Sequence, residues 1–230
     1  MLCHTKRYGN QVVDRSPSKI RLLDCALRVF RAKGYAATTV DDICAAAGVT
    51  KGSFFHHFKG KEELAAEAIA YWNDVTGQLF AQAPYQQLAD PRERLLAYID
   101  FRGALVKGKV PDFTCLLGTL VQDTFETHPH LREACDAGIR AHAMEVARTV
   151  EEARAMYAPD ADWDAKSVAL HTQAVLQGAF VLAKARNSMK PAWESVAHLR
   201  RYIEMLLPPT AATSAGTAGK RGTNLKERRK

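Results

Sequence analysis

The stretch that decides the fold runs from Thr38 to Lys61 and reads TTVDDICAAAGVTKGSFFHHFKGK. Thr39 followed three residues later by Asp42 is a capping box, the usual start of a helix. Gly48 suits the left-handed conformation that ends many helices. Thr50 is a second N-cap only two residues further on, so a new helix must begin at once and at a steep angle. The sequence therefore predicts a helix-turn-helix.

The second helix of this pair has one apolar face and one polar face. Phe54 and Phe58 are four residues apart and are predicted to pack on the preceding helices. Cations, small donors and an aromatic ring on the other face suit a helix in the major groove of DNA. A solvated basic face on an ordinary helical bundle is the alternative that the geometry alone leaves open. The predicted DNA-contacting residues are Thr39, Thr50, Lys51, Ser53, Phe55, His56, His57, Lys59 and Lys61.

A wider motif surrounds this stretch and consists of Phe30, Gly34, Thr38, Thr39, Ile43, Ala46, Gly48, Val49, Lys51, Gly52, His57, Phe58, Lys61, Glu62 and Leu64. Over roughly residues 17–72 it resembles the DNA-binding domain of TetR/AcrR-type transcriptional repressors. The family usually has tyrosine where this chain has Phe55, and that hydroxyl commonly reaches a phosphate. The resemblance therefore implies that Lys51, His57 and Lys61 take a larger share of the phosphate contacts.

Composition limits the classes of protein to consider. The chain has 230 residues, of which 47% are hydrophobic, enough for one large or two modest domains. It lacks a run of 18 apolar residues, so no membrane span is expected, and residues 1–16 lack the apolar segment of a secretory signal. Five scattered cysteines without a Cys-x-x-Cys pair indicate reduced thiols and a cytoplasmic protein.

Charge is distributed unevenly along the chain. Residues 1–61 hold 11 Lys/Arg against 4 Asp/Glu, residues 62–209 hold 15 against 20, and residues 210–230 hold 6 against 1. A basic head on an acidic body is typical of a phosphate-binding domain joined to a domain that does not bind DNA. Binding to a membrane surface is the competing interpretation, and it is weakened because the basic segment shows no apolar anchor opposite its charges.

Apolar residues recur at three- and four-residue steps throughout the chain, which predicts an all-α fold. A helix-turn-helix head should be joined by a long helix to a larger ligand-binding and dimerisation domain. The expected domains are a disordered basic arm at 1–16, the DNA-binding domain at 17–62, the effector and dimerisation domain at 63–207, and a disordered basic tail at 208–230. The expected helices after the head run from 61 to about 84 and over 91–107, 115–125, 129–157, 164–187 and 191–207.

The last two helices carry apolar faces that are suited to a twofold four-helix bundle. A purely intramolecular core is the rival interpretation. A single helix-turn-helix binds weakly, whereas two heads about 34 Å apart can contact successive major grooves of a palindrome, so we expect a homodimer. In TetR-like proteins the last two helices play this role. The predicted interface residues are Val168, Val175, Leu176, Ala179, Phe180, Ala183, Trp193, Val196, Leu199, Ile203 and Leu206.

The resemblance also implies a small-molecule effector that enters a pocket among the central helices and releases the protein from double-stranded operator DNA. Repression is the expected mode of control. Residues that add aromatic or polar character to otherwise apolar faces are the predicted pocket lining. They are Trp72, Phe80, Tyr98, Phe101, Arg102, Cys115, Thr119, Asp123, His142, His171 and Gln177.

Two alternative functions remain open on the sequence. Cys115 stands at the start of a helix, where a thiol can become nucleophilic. This position resembles a branch of the family in which a cysteine senses electrophiles or oxidants, with Lys184 as a possible neighbour. The second alternative is a helical ligand-binding or enzymatic protein that has lost DNA binding. No catalytic motif, metal-ligand spacing or phosphate loop is found, so neither a cofactor nor an enzymatic activity is expected.

Overall fold

A computed structural model describes residues 16–209, and every regular element in that range is helical. Within it, no helix combines the length and the apolar character needed to cross a membrane. The predicted arm and the basic tail lie outside the described residues, except for Ser16 and residues 208–209. The helices are α1 (Pro17–Lys33), α2 (Val40–Ala47), α3 (Lys51–His57), α4 (Lys61–Ala81), a 3-10 turn (Pro84–Gln87), α5 (Pro91–Ala104), α6 (Val110–Phe113), α7 (Leu116–Thr124), α8 (Pro129–Tyr157), α9 (Ala165–Arg186) and α10 (Lys190–Leu206).

The first core joins the head to the body. Phe30, Phe54 and Phe58 bring α1 and α3 together under the start of α4, and all three side chains are buried. The same cluster continues into α7 and the start of α8 through Leu116 and Leu131, which are fully buried. The head therefore packs as part of one continuous core, and the domain boundary at residue 62 stays a prediction.

A second core fills the body. It is formed by α5, α8, α9 and α10, with Ile99, Val150 and Ile203 fully buried at its centre. The long helix α8 spans both cores, since Leu131 near its start belongs to the first and Val150 to the second. This arrangement leaves an open cleft between α4, α5 and α8.

Two short elements were not expected from the sequence. Pro84 and Pro111 each lie in the first turn of a short helix, where proline's fixed φ is favourable. Asp112 stabilises α6 by accepting a hydrogen bond from the backbone nitrogen of Lys109 at 2.8 Å. Apolar periodicity cannot detect elements of four residues, because they are about one turn long.

Most of the predicted interface side chains lie inside the subunit. Eight of them are buried in the chain's own cores, where a second copy cannot reach them; Val175 and Leu206 are half-buried, and Trp193 is exposed. The predicted interface face of α9 and α10 is therefore corrected to an internal face. Apolar spacing shows that a helix face is covered, but it does not show whether the same subunit or a second copy covers it. The buried residues are Val168, Leu176, Ala179, Phe180, Ala183, Val196, Leu199 and Ile203.

The opposite side of α9 exposes a different apolar stripe. Leu170 is 51% exposed and Leu182 is 52% exposed. Steps of three or four residues place the whole set on one helical face. At Gly178 a Cβ atom would meet nothing within 4 Å, so the backbone is open to close approach. We refer to the following set as the α9 stripe: Leu170, Ala174, Gly178, Val181, Leu182 and Ala185.

Thr114, between α6 and α7, gives a stability prediction. Its side chain is fully buried and its hydroxyl makes no hydrogen bond, whereas the equally buried Thr124 donates to the carbonyl of Leu120 at 2.8 Å. Because a desolvated, unpaired hydroxyl costs free energy, Thr114→Val should raise the free energy of unfolding by about 1 kcal/mol. Chemical denaturation measures this, with Thr124→Val as the matched control that should not stabilise. Loss of stability in Thr114→Val would contradict the prediction.

Candidate DNA-binding surface and ligand cleft

The helix-turn-helix is stabilised by short-range contacts. The Thr39 hydroxyl accepts from the nitrogen of Asp42 at 3.1 Å, and the Asp42 carboxylate accepts in return from the nitrogen of Thr39 at 2.9 Å. Gly48 adopts the left-handed conformation with φ 63°, and the Thr50 hydroxyl accepts from the nitrogen of Ser53 at 3.2 Å. Lys33 beside Asp42 and the capping hydrogen bonds lower the pKa of that carboxyl to about 2. These caps fix the angle between α2 and α3.

The outer face of α3 presents the predicted contact residues together. Phe55 is 55% exposed, and Lys51, His56 and Lys59 are exposed beside it. The two caps, Thr39 and Thr50, are exposed as well, and Ser53 is half-buried. Lys51 forms a surface ion pair with Asp41 at 2.9 Å, which a phosphate must displace. Such exposed pairs contribute little free energy, so the exchange is inexpensive.

Two of the predicted phosphate ligands have internal partners. The ammonium of Lys61 donates to the carbonyls of Tyr35 and Thr38, both at 2.9 Å. His57 Nε2 lies 2.7 Å from the hydroxyl of Ser18, and partial burial followed by the charge of His56 lowers the pKa of His57. Both residues hold the head together, and their phosphate contacts stay predictions.

The cleft in the body has a volume of about 930 Å³ and lies between α4, α5 and α8. Phe80, Tyr98 and His142, three of the residues predicted to contact a ligand, line this cleft, and their contact with a ligand stays a prediction. Phe101 and Arg102 lie directly behind this lining, because the Phe101 ring contacts Phe80 at 5.9 Å and the Arg102 guanidinium lies 5.3 Å from the Phe80 ring centre. One aromatic and polar cluster therefore forms the inner wall.

His142 is connected to this cluster by hydrogen bonds. Its Nε2 lies 2.9 Å from the Tyr98 hydroxyl and 3.2 Å from Nη1 of Arg102. Gln173, which is buried and was not predicted from the sequence, donates to the same hydroxyl at 3.3 Å. Burial and the adjacent positive charge of Arg102 lower the pKa of His142 to about 3. The imidazole is therefore neutral at physiological pH.

A neutral, half-buried His142 makes stability depend on pH. In the unfolded chain the His142 imidazole has a pKa of 6.5, whereas in the folded protein its pKa is about 3. Between these values the unfolded state binds a proton that the folded state does not. Stability is fully present above pH 6.5 and is lost as the pH falls below that value. Between pH 7 and 5 this one group should remove about 2 kcal/mol. Denaturation of wild type and His142→Phe at both pH values measures the difference; equal pH dependence would contradict the assignment.

The other predicted pocket residues lie outside the cleft. Trp72 lies under the guanidinium of Arg31 at 5.1 Å, and His171 contacts the Tyr202 ring at 5.0 Å. Gln177 lies against Gly118, where a Cβ atom would be 2.0 Å from its Oε1. Asp123 belongs to the contact between head and body, and Cys115 packs against both cores. The Thr119 hydroxyl donates to the Cys115 carbonyl and accepts from Lys184, both within the body. The sequence does not distinguish these residues from residues that line a pocket, because polar side chains inside a helical domain also join one helix to another.

That contact between head and body depends on two long-range anchors. The Asp123 carboxylate accepts from the backbone nitrogen of Tyr35 at 2.7 Å, just after α1. Arg31, buried in α1, donates to the carbonyls of Asp112 and Thr114 at 3.0 and 3.4 Å. Burial lowers the pKa of Arg31 to about 10, so the group stays charged at neutral pH. Nothing in the sequence distinguishes Arg31 from the other cations of α1, because the carbonyls that it binds come from residues more than 80 positions away.

Comparison with known families now decides the identity of the chain. Residues 22–68, which contain the helix-turn-helix, match the model for bacterial regulatory proteins of the tetR family. Residues 91–199 match the model for the tetracyclin repressor-like C-terminal domain. The chain belongs to the TetR family of transcriptional regulators. The resemblance inferred from the sequence is confirmed, as is the all-α fold.

TetR-family relatives match to different extents. The HTH-type transcriptional regulator LmrA of Bacillus subtilis is 28% identical over 180 residues, covering 74% of this chain and 89% of that protein. The uncharacterized HTH-type regulator YxaF of the same organism is 36% identical over 89 residues, covering 38% of this chain and only 46% of that protein. A TetR transcriptional regulator from Chloroflexus aurantiacus superposes with a TM-score of 0.72 at 27% identity, covering 83% of this chain and 96% of that one.

Proposed function

We propose that the protein is a cytoplasmic, dimeric repressor that binds a palindromic operator and is released by a small-molecule effector. The observation that carries this proposal is the outer face of α3, the second helix of a capped helix-turn-helix, which exposes Lys51, Phe55 and His56, with exposed Lys59 in the loop that follows. Donors, cations and an aromatic ring on one protruding face match the groups that major-groove binding requires.

A second copy would dock on the α9 stripe. Its exposed leucines and the open backbone at Gly178 are suited to helix packing across a twofold axis. This face replaces the buried residues that the sequence favoured. The dimer would present two heads to one face of DNA, with their α3 helices about one helical turn apart.

Helix α4 is the element through which an effector would act. Its first half packs in the core of the head, where Leu64 and Ile69 are buried. Its second half lines the cleft through Asn73, Thr76 and Phe80. A ligand in the cleft would therefore contact the same helix that begins in the DNA-binding head. An effector must prefer the released state by about 5.5 kcal/mol for a nearly complete switch.

The test is selection of bound sequences from random double-stranded DNA, followed by titration of the winning sequence at two salt concentrations. A palindromic winner with a steep salt dependence supports the proposal. Lys51→Ala should remove about one phosphate contact, so the slope of log K against log salt concentration should become shallower by about 0.9. Lys166→Ala, which removes an exposed lysine on α9, is the matched control and should leave the slope unchanged. A folded protein that enriches no sequence would contradict DNA binding and favour a ligand-binding protein without it.

Phe55→Tyr should strengthen operator binding. The side chain is 55% exposed, so the added hydroxyl meets no buried surface, and it restores the phosphate hydrogen bond common in the family. A hydrogen bond of about 1 kcal/mol corresponds to roughly fivefold tighter binding per head. Fluorescence anisotropy on the selected operator measures the change, with Phe55→Leu as the control that keeps an apolar side chain. Unchanged affinity in Phe55→Tyr would show that this position does not face a phosphate.

A thiol-based sensor is the second candidate function. Cys115 is half-buried at the N-cap of α7 and interacts electrostatically with two cations, Arg31 and Lys184. Lys184 donates to the Thr119 hydroxyl at 2.7 Å, which holds its ammonium beside this helix start. Partial exposure at a helix start and two neighbouring cations are therefore the observations that support this candidate.

N-ethylmaleimide is the probe for this second candidate. The thiolate adds to its alkene, so an S–C bond forms, the C=C π bond opens, and the resulting carbanion takes a proton from water. Modification should release operator DNA from wild type but not from Cys115→Ser, which must bind the operator normally when untreated. Equal release in both proteins, or loss of operator binding in untreated Cys115→Ser, would contradict sensing at Cys115.

A further inference from the structure

The hydrogen bonds around His142 fix which ring nitrogen carries its proton. Arginine can only donate hydrogen bonds, so the nitrogen 3.2 Å from Nη1 of Arg102, Nε2, must be the acceptor. The neutral ring therefore carries its proton on Nδ1, and the Tyr98 hydroxyl donates to Nε2 at 2.9 Å. The same hydroxyl accepts from Arg102 and from Gln173.

With this tautomer, the Nδ1–H group of His142, a residue of the cleft wall, has no hydrogen-bond acceptor in the part of the chain that the structure describes. Among residues 16–209, no side chain or backbone group forms a hydrogen bond with Nδ1 of His142. The ring lies on the cleft lining and faces Phe80 with a centroid distance of 4.5 Å. A bound molecule that places an oxygen at Nδ1–H would complete the hydrogen bonding of the imidazole.

The surrounding rings set the shape of the molecule that would fit. Phe80, Tyr85 and Tyr98 all line the cleft, and Tyr85 packs against Tyr98 at 5.6 Å. Aromatic walls favour flat rings that stack against them or meet them edge-on. The inner end of the cleft is therefore suited to a planar aromatic group.

The charges of the cleft select against a cation. Arg102 already occupies the cation position over the rings, 5.3 Å from the centre of Phe80 and 5.9 Å from that of Tyr98. The two acids among the lining residues are both paired, Glu145 with Arg148 at 2.8 Å and Glu152 with Arg94. The two acids and the two arginines of the lining balance in charge, so the positive charge of Arg102 behind the inner wall is what favours an anion over an ammonium.

We propose that the cleft binds planar aromatic carboxylates, with the ring against the wall formed by Phe80, Tyr85 and Tyr98 and a carboxylate oxygen accepting the Nδ1–H hydrogen bond of His142. This inference rests on the proposed function only in assigning the effector site to this cleft. It names the chemical class of effector: an aromatic acid in preference to an aromatic cation. Control by such a compound would link the regulated genes to aromatic-acid chemistry.

Three naphthalene probes test the proposal by isothermal titration calorimetry on the full-length protein at pH 7. They are 2-naphthoate, 2-naphthol and 2-naphthylmethylammonium, which share a ring and differ in charge. We expect 2-naphthoate to bind at least 10-fold more tightly than the ammonium, with 2-naphthol between them. Equal or tighter binding of the ammonium, or no binding of 2-naphthoate at all, would overturn the proposal.

Variants locate the site and its donor. His142→Phe keeps a ring but removes the donor, and it should weaken the binding of 2-naphthoate about 10-fold. His142→Gln keeps an N–H donor and should lose less of the binding affinity. Gly77 lines the cleft, and a Cβ there meets nothing within 4 Å, so Gly77→Leu should fold and weaken all probes by obstruction. Gly77→Ala is its small matched control. Full 2-naphthoate affinity in both His142→Phe and Gly77→Leu would overturn the assignment.

Because probe binding is measured without DNA, the two proposals fail separately. Binding of 2-naphthoate by a protein that enriches no operator would contradict the regulator function and leave the ligand class standing. Operator binding by a protein that does not bind 2-naphthoate would contradict the ligand class and leave the regulator function standing.

Discussion

Leu182→Glu should convert the protein to monomers and abolish operator binding at concentrations where wild type is fully bound. The side chain is 52% exposed in the α9 stripe, so the change leaves the subunit core intact. In a twofold dimer the substitution occurs twice, and each unpaired carboxylate buried in an apolar interface costs several kcal/mol. The dimer dissociation constant should rise by about 100-fold or more.

Analytical ultracentrifugation measures the mass, and anisotropy on the selected operator measures the loss of DNA binding. Met144→Glu is the matched control, because Met144 is an exposed apolar residue on α8 rather than on the α9 stripe. It should stay dimeric and bind DNA. A dimeric Leu182→Glu protein would show that the second copy docks elsewhere.

Gly34→Ala should destabilise the protein more than any other glycine-to-alanine change in the head. Gly34 has φ 80° and ψ 173°, a region that is essentially restricted to glycine. A Cβ atom there would lie 2.3 Å from the Asp123 carboxylate that accepts from the nitrogen of Tyr35. Backbone strain and the displaced hydrogen bond together should lower the free energy of unfolding by about 3 kcal/mol.

Two other glycines provide graded controls for chemical denaturation of the same protein. Gly48→Ala places alanine at φ 63° with no atom within 4 Å of its Cβ, so only the left-handed strain of about 1 kcal/mol applies. Gly60 is extended and open, and Gly60→Ala should change stability by less than about 0.5 kcal/mol. An equal loss in Gly34→Ala and Gly48→Ala would show that Asp123 does not anchor the head.

The helix-turn-helix could be predicted because its signals are local. Thr39, Gly48 and Thr50 act on backbone groups within three residues of themselves, so their spacing in the sequence already fixes the caps and the turn. Phe54 and Phe58 were placed in the core by the same logic of spacing along one helix. The DNA-contacting roles assigned to the outer residues stay predictions.

The body was predicted less completely because its contacts join distant parts of the chain. Phe80, Tyr98 and His142 line the cleft, yet Gln173, which donates to the Tyr98 hydroxyl, comes from α9 and was not among the predicted residues. Asp123 was assigned to the pocket, whereas it accepts hydrogen bonds from a turn 88 residues away. Nothing within one helical turn of Asp123 distinguishes a ligand contact from an anchor.

The sequence by itself determined that the chain is helical, that a DNA-binding helix-turn-helix lies near its start, and that a basic head precedes an acidic body. These properties depend on side-chain type and on spacings of three or four residues. Only the tertiary structure decided which faces of α9 and α10 are buried, where the cleft opens, and how α1 is joined to α7. The physical reason is that helical periodicity shows that a face is apolar, while the surface that covers that face is supplied by helices far away in the sequence.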